Sequence, residues 1–489
     1  MTEEIIRPDI YEMIKEAVND GLAVVRQFEA DGKLVYRHFQ FPIMSQFPSG
    51  FPNFRKSFME DDIPLDYRSV FGRKFGRKGH PPESIPSWQR FWDFAHKDES
   101  LSHFWEIGPH VKEKLSSPAF PDLVEVHSKI SVYGSIEKLV DRYIHISGKK
   151  EMEEELFRPI YQEWERSIIW QKLPVNMVVP ILGLMFSFER LEIGNNTVVE
   201  RMGDLLQLAR NNRSTYTVSA HETVIGAATH SLVLRGWTIA NKTLDERQES
   251  MNDIGAYAAP ILEIEKFFAA LRSETSVETG YSQIVVTPIG WADSWQAYLP
   301  HVEVVSVRAY PDHFEKYSWL RTPPTIDENT CGNIAEIFNV LKNAPDNRLV
   351  LAARRLNAAF LRANEEDSIL DITMGLETLL TSDTRTEITY KLAMRAAGLS
   401  TIGLFEELSP EDVFKHCKQI YDYRSDVIHG SKKAQKKRII ELAGGETISV
   451  VRLGVKILRC VIRTLSHHVE YLDPEKLDKL LIDRRQSEA

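Results

Sequence analysis

Residues 421–430 read Tyr421-Asp-Tyr-Arg424-Ser425-Asp-Val-Ile-His429-Gly430. Val413, Phe414, Cys417, Ile420, Tyr421, Val427 and Ile428 recur there at close to a 3.6-residue period. That spacing predicts an amphipathic helix over 412–428. Gly430 stands where a left-handed residue closes a helix. Outward from this segment the pattern stays helical. Residues 334–341, 349–361, 368–380, 387–397 and 447–471 carry the same periodicity, and Asp473-Pro474-Glu475 opens a last short helix. No strand pattern interrupts them, so the C-terminal third reads as an all-α helical bundle.

The chemistry of the starting segment follows from its residue types. Arg424 carries a permanent charge on a planar fork suited to phosphate. His429 supplies an imidazole, a group that can take and give a proton. Together at one helix end they suit phosphodiester cleavage without a metal. The same residues also suit a structural use, with Arg424 paired to Asp422 or Asp426 and His429 interacting with the helix C-terminus.

Arg424-Ser-Asp-Val-Ile-His429-Gly430 resembles the R-x4-6-H motif of the HEPN superfamily, in the form carried by Apea-like HEPN domains. Residues 365–380, ending Gly-Leu-Glu377-Thr-Leu-Leu380, resemble that family's helix with a buried acid. Residues 386–397, with Arg395, resemble the next helix. The match spans about 333–472. The resemblance implies a metal-independent endoribonuclease, or an RNA-binding relative, that dimerises so that two Arg/His pairs face one cleft. It implies a place in anti-phage defence or growth arrest, with a homodimer, RNA, and an activating ligand or phage component as partners. Many family nucleases carry Asn, Asp or His after the arginine, where this chain has Ser425. That departure keeps open a non-catalytic RNA-binding or dimerisation scaffold. The catalytic set is therefore Arg424, His429 and Ser425. The RNA-binding set is Tyr421, stacking on a base, with the basic run Lys432, Lys433, Lys436, Lys437 and Arg438, which otherwise reads as a solvated charge run. Glu377 and Arg395 are expected to pair with each other and shape the cleft.

The remainder of the chain supplies the context. At 489 residues, two to four domains are expected. A hydrophobic share of 43% and a charged share of 27% are those of a soluble protein. The net charge of −10 requires any RNA site to be a local basic patch. Three cysteines, an odd and sparse set, point to a reducing, cytoplasmic compartment rather than a disulfide framework. No signal peptide or membrane span is legible.

The reading divides the chain into an aromatic-rich irregular region (1–122), a mixed α/β sensor or regulatory domain (123–321) and the helical domain (322–489), an α+β protein. Residues 7–28 read as helix and 34–41 as strand, with 41–121 irregular around a small core of Trp88, Phe91, Trp92, Phe94, Phe104 and Trp105. The tandem Phe-Gly-Arg-Lys within Phe71–His80 reads as an RNA grip or a solvated turn. Residues 150–172 and 251–271 read as helices, 178–193 (open to a break at Leu182-Gly183), 230–239, 281–289 and 302–310 as strands, and 197–209 as helix. Pro323-Pro324, within 321–328, marks a linker. His221-Glu222 opens like a zinc-protease motif, but Ile225 stands where the second histidine belongs, so no metal or cofactor is expected.

Overall fold

The computed structural model describes residues 5–57, 62–74, 77–105, 123–213, 220–241, 258–316, 322–344, 346–381, 387–403, 405, 408–442 and 445–487. The chain is α+β: a mixed N-terminal part built round a six-stranded sheet, then a largely helical C-terminal part.

Helix α1 (Pro8–Ala30) begins on a proline and buries Ile10, Ile14, Val18, Leu22 and Val25, an i, i+4 stripe along one face. It packs with α2 (Pro86–Ala95), α4 (Leu123–Ser147) and α5 (Glu154–Ile169), around Trp88, Phe91, Tyr143, Phe157 and Trp164. Helix α3 (Glu99–Phe104) joins this group. Trp88, Phe91, Trp92 and Trp105 are core, as expected, and the Phe104 side chain lies outside the described residues. Residues 34–40 form no strand. Arg37 makes one bridge to Leu65, and the strand is displaced to β1 (Phe41–Gln46), paired with β2 (Pro52–Ser57). Alternation alone was not enough, because 34–40 has no neighbouring strand to complete its ladder.

The central sheet is antiparallel in the order β11-β10-β5-β9-β8-β7, with β5 at Lys172–Pro180, β7 at Arg190–Gly194, β8 at Thr197–Arg201, β9 at His230–Ala240, β10 at Tyr281–Pro288 and β11 at Glu303–Ala309. The strand expected over 178–193 breaks at Leu182-Gly183 as anticipated, where Gly183 (φ +79°) turns the chain between β5 and β6 (Met185–Phe186), and breaks once more before β7. The expected helix over 197–209 is β8 followed by α6 (Asp204–Arg213). Thr197, Val198 and Val199 are β-branched or strand-forming and slot beside β9.

Both sheet faces are buried. Val178, Val198, Val233 and Val285 point to one side, beneath Phe41, Val224 of α7 (Glu222–Gly226) and Phe314. Val175, Met177, Val179, Leu232, Leu234, Ile284 and Val286 point to the other. They share one core with α8 (Ala258–Thr275) and with the C-terminal helices α9 (Glu328–Asn343), α10 (Asn347–Leu361), α11 (Glu365–Leu380), α12 (Ile388–Leu399), α13 (Pro410–Ile428) and α14 (Val450–His467). Helix α15 (Pro474–Ser487) adds Leu477. The expected linker is built in: β12 (Thr325–Ile326) pairs in parallel with β6, and Ile326 is buried. The C-terminal part is not purely helical, because β13 (Ile439–Glu441) and β14 (Thr447–Ser449) form a hairpin. No helix among the described residues is long and apolar enough to cross a membrane.

Candidate functional site

Helix α13 is defined sharply at both ends. The Ser409 hydroxyl accepts from the Asp412 N–H while the Asp412 carboxylate accepts from the Ser409 N–H, a capping box, with Pro410 in the first turn. At the other end His429 is the C-cap and Gly430 takes φ +61°. Gly430 N–H donates to Val427 O (3.1 Å) and Ser431 N–H to Asp426 O (2.8 Å), the paired bonds of a Schellman motif. The anticipated left-handed glycine is therefore what sets His429 on the last exposed turn.

Arg424 leans back onto the bundle. Its Nη2 lies 3.9 Å from Glu377 Oε1 of α11, and its guanidinium stands 5.9 Å from the Tyr421 ring centroid. Tyr421 donates its hydroxyl to the same Glu377 oxygen. Burial, and then that carboxylate, push the Tyr421 phenol upward. Arg424 Nε is buried and makes no hydrogen bond among the described residues. The Arg424 side chain keeps 32% exposure and Glu377 30%, so the pair is half open to solvent. Ser425 and His429 are exposed, and neither side chain makes a hydrogen bond among the described residues. On an ideal helix five positions amount to about 140° of rotation, so Arg424 and His429 leave α13 in different directions.

Two expectations need correction. The Tyr421 ring is buried at 7% exposure, and Tyr423 beside it at 3%, so Tyr421 is a core residue rather than a surface on which a base stacks. Glu377 and Arg395 do not pair. Arg395 makes a two-pronged ion pair with Asp478 of α15 (both 2.8 Å) and donates to Leu380 O (2.7 Å), leaving Glu377 to Tyr421 and Arg424. The buried acid of α11 is Asp371, held by Arg355 at 2.9 Å and Arg362 at 3.0 Å.

The basic run follows α13 through a single turn, Ala434–Lys437, into β13. Its five cations are not equivalent. Lys437 pairs with Asp426 (2.8 Å) and holds that carboxyl below the usual range. Arg438 pairs with Glu365. Lys432, Lys433 and Lys436 are exposed and make no ion pair among the described residues. Ile428 and Ile439 are also exposed, at 49% and 63%, so the end of α13 presents an imidazole, three cations and two aliphatic side chains to solvent.

The other motifs resolve into structure. Phe71 is fully buried and packs its ring 4.8 Å from that of Trp88, which leaves the Arg73–Lys74 and Arg77–Lys78 hairpin as the basic part of the tandem repeat; Phe75 and Gly76 lie outside the described residues. His221 caps α7 and meets the Thr223 hydroxyl at 2.7 Å. His230 is buried with both ring nitrogens engaged, by Phe188 O (2.7 Å) and the Thr229 hydroxyl (2.9 Å). What sequence reading missed is a buried group of His38, Asp141 and His145. The i, i+4 spacing of the last two was its one visible signal, on a helix that went unread. Comparison with family models, curated proteins and solved structures finds no match to this chain.

Proposed function

We propose that the chain is an endoribonuclease that cuts RNA through Arg424 and His429. The observation that supports it is the end of α13: an exposed His429 at the helix cap, Arg424 a little over one turn earlier, and three exposed lysines directly after, which make no ion pair among the described residues. In this reading His429 takes the proton of a ribose 2′-hydroxyl, and the 2′ oxygen attacks the neighbouring phosphorus. The P–O5′ bond breaks, the 5′ oxygen is protonated by imidazolium or water, and a 2′,3′-cyclic phosphate and a 5′-hydroxyl remain. Arg424 offsets the charge that grows on the phosphate oxygens, an effect worth about 10²–10³ in rate for one such group. Ser425 orients the phosphate or the imidazole. Because Arg424 and His429 leave the helix in different directions, a second copy completes the cleft in this reading. Residues 1–321 would restrain the nuclease or sense its trigger, in a cytoplasmic role in defence or growth arrest.

The test is purified full-length protein and His429→Ala, each incubated with total RNA in EDTA, with the ends mapped. Cyclic-phosphate ends from the wild type alone are expected, and a 2′-deoxy substrate should stay intact. Equal cutting by His429→Ala sinks the assignment. A second reading, a non-catalytic RNA-binding scaffold, is favoured by the engagement of Arg424 with Glu377 and Tyr421. It predicts RNA binding with no cyclic ends under any condition.

A further inference from the structure

Helix α4 carries Asp141 and His145 one turn apart, so both side chains project from one face. Opposite them runs the segment after α1. His38 N–H donates to Pro64 O (2.9 Å), and Arg37 bridges to Leu65, so His38 and Leu65 arrive together over α4. The result is two imidazoles and one carboxylate from segments about a hundred residues apart. The side chains of His38 and Asp141 are 1% and 2% exposed, and that of His145 is 12% exposed.

The two imidazole–carboxylate separations are longer than hydrogen bonds. His38 Nε2 lies 3.7 Å from Asp141 Oδ2, and His145 Nε2 lies 3.5 Å from Asp141 Oδ1. One ligand atom from each of the three residues falls within 4.8 Å of the others. Hydrogen bonds to nitrogen close at about 2.7–3.2 Å. Ligands around a tetrahedral ion with bonds of 2.0–2.1 Å stand about 3.3 Å apart along each edge, near the first two separations. His38 Nε2 is buried and makes no hydrogen bond among the described residues, although it faces the carboxylate.

The surroundings hold these groups in place. Tyr67 N–H donates to Asp141 Oδ1 at 2.9 Å, fixing the carboxylate. The outer nitrogen of His38, Nδ1, faces Arg68 Nη2 at 3.4 Å and Asp66 Oδ2 at 4.0 Å. His145 Nε2–H donates to Leu65 O at 2.8 Å, so a metal ion held by this nitrogen would displace that proton, with the carbonyl oxygen left beside it. Orientation of metal-binding side chains by such outer partners is a general property of metal sites.

We propose that His38, Asp141 and His145 bind one divalent cation of the zinc class, with the Leu65 carbonyl beside the fourth position. Two imidazoles and one carboxylate in a tight set suit zinc-like ions. Calcium and magnesium require more oxygen ligands than this set supplies. The burial makes it a closed, structural site, one that fastens α4 to the segment between α1 and α2. The proposal is independent of the nuclease reading.

The experiment uses the full-length chain, stripped with EDTA and dialysed against zinc sulfate or cobalt chloride. Elemental analysis should return about one zinc per chain, and cobalt should give the visible bands of a tetrahedral site. The melting temperature should rise with zinc concentration. His38→Gln should weaken uptake by at least about tenfold with an unchanged far-ultraviolet spectrum. Asp141→Asn should do the same; if it does not fold, His38→Gln alone carries the test. Zinc below about a tenth per chain with a zinc-independent melting temperature overturns the proposal, leaving Asp141 as a carboxylate between two imidazoles. Cobalt bands that persist unchanged in His38→Gln overturn it as well.

Discussion

Glu377→Gln tests whether Glu377 restrains the proposed phosphate ligand. Glu377 Oε1 is 3.9 Å from Arg424 Nη2, and both side chains are about a third exposed. At that separation in a water-like medium the attraction is about 1 kcal/mol, in line with measured half-exposed pairs. Glutamine removes the charge and keeps an oxygen for the Tyr421 hydroxyl, so the fold should lose only about 1 kcal/mol, the difference between a charged and a neutral acceptor. Freed of its partner, Arg424 should bind phosphate with about fivefold higher affinity, the factor that corresponds to about 1 kcal/mol. The assay is anisotropy of a fluorescent single-stranded RNA at about 50 and 200 mM salt, where each added phosphate contact steepens the salt dependence. Arg424→Gln in the same background must erase the gain. Affinity that is unchanged or weaker, in protein that melts within a few degrees of wild type, refutes the idea that Glu377 competes with RNA for Arg424.

Other outcomes follow from the same geometry. Replacing Lys432, Lys433 and Lys436 with alanine should lower the salt slope of RNA binding by about two, whereas replacing Lys437 and Arg438, already paired with Asp426 and Glu365, should change it much less. Arg395 is 5% exposed and Asp478 is 49% exposed, so the two halves of their ion pair are unequal. Asp478→Asn strands a buried guanidinium and should cost about 2–3 kcal/mol, less than a fully buried pair because water reaches Asp478; Arg395→Met should cost about 1 kcal/mol, since the freed carboxylate hydrates. Hydrogen exchange in α12 and α15 should rank the two variants in that order, and equal costs would contradict it. Burial lowers the proton affinity of His301, but Asp293 at 3.1 Å and Glu303 at 3.7 Å override it, so the folded pKa is raised. That stability is complete below the unfolded value of about 6.5 and is lost as pH climbs through the higher folded value. Melting curves should therefore fall above about pH 6.5 in wild type and flatten there in His301→Gln.

What was legible in the sequence was local. The bounds of α13, its terminal glycine, the helices after residue 328, and strands β9, β10 and β11 are each set by short-range periodicity and end signals. The misreadings share a cause. Residues 197–201 have apolar spacing that also fits a helix, and only the neighbouring β9 makes them a strand. The hairpin of β13 and β14 hides in a helical stretch, betrayed only by Gly445 at φ +83°. Partner choice was the other blind spot. Arg395 could be seen as an inward arginine, but Asp478, its partner, lies 83 residues on. Tyr421 was visible at the site, yet its burial depends on α11, whose approach no spacing encodes.

The shared core on the inner face of the sheet bears on how this protein could be switched. Val175, Met177 and Val179 of β5 and Phe267 of α8 belong to the same apolar mass as Phe338, Leu356 and Leu458 of the helical part, and β12 stitches the junction to β6. A cut at residue 321 would therefore strip half of that mass of its cover, and the released fragment would present a greasy slab to water. The helical part is not cargo on a tether that a trigger could unleash. On the proposed reading, a signal from the front of the chain would reach α13 as pressure passed through packed side chains, like a shifted keystone rather than an opened gate.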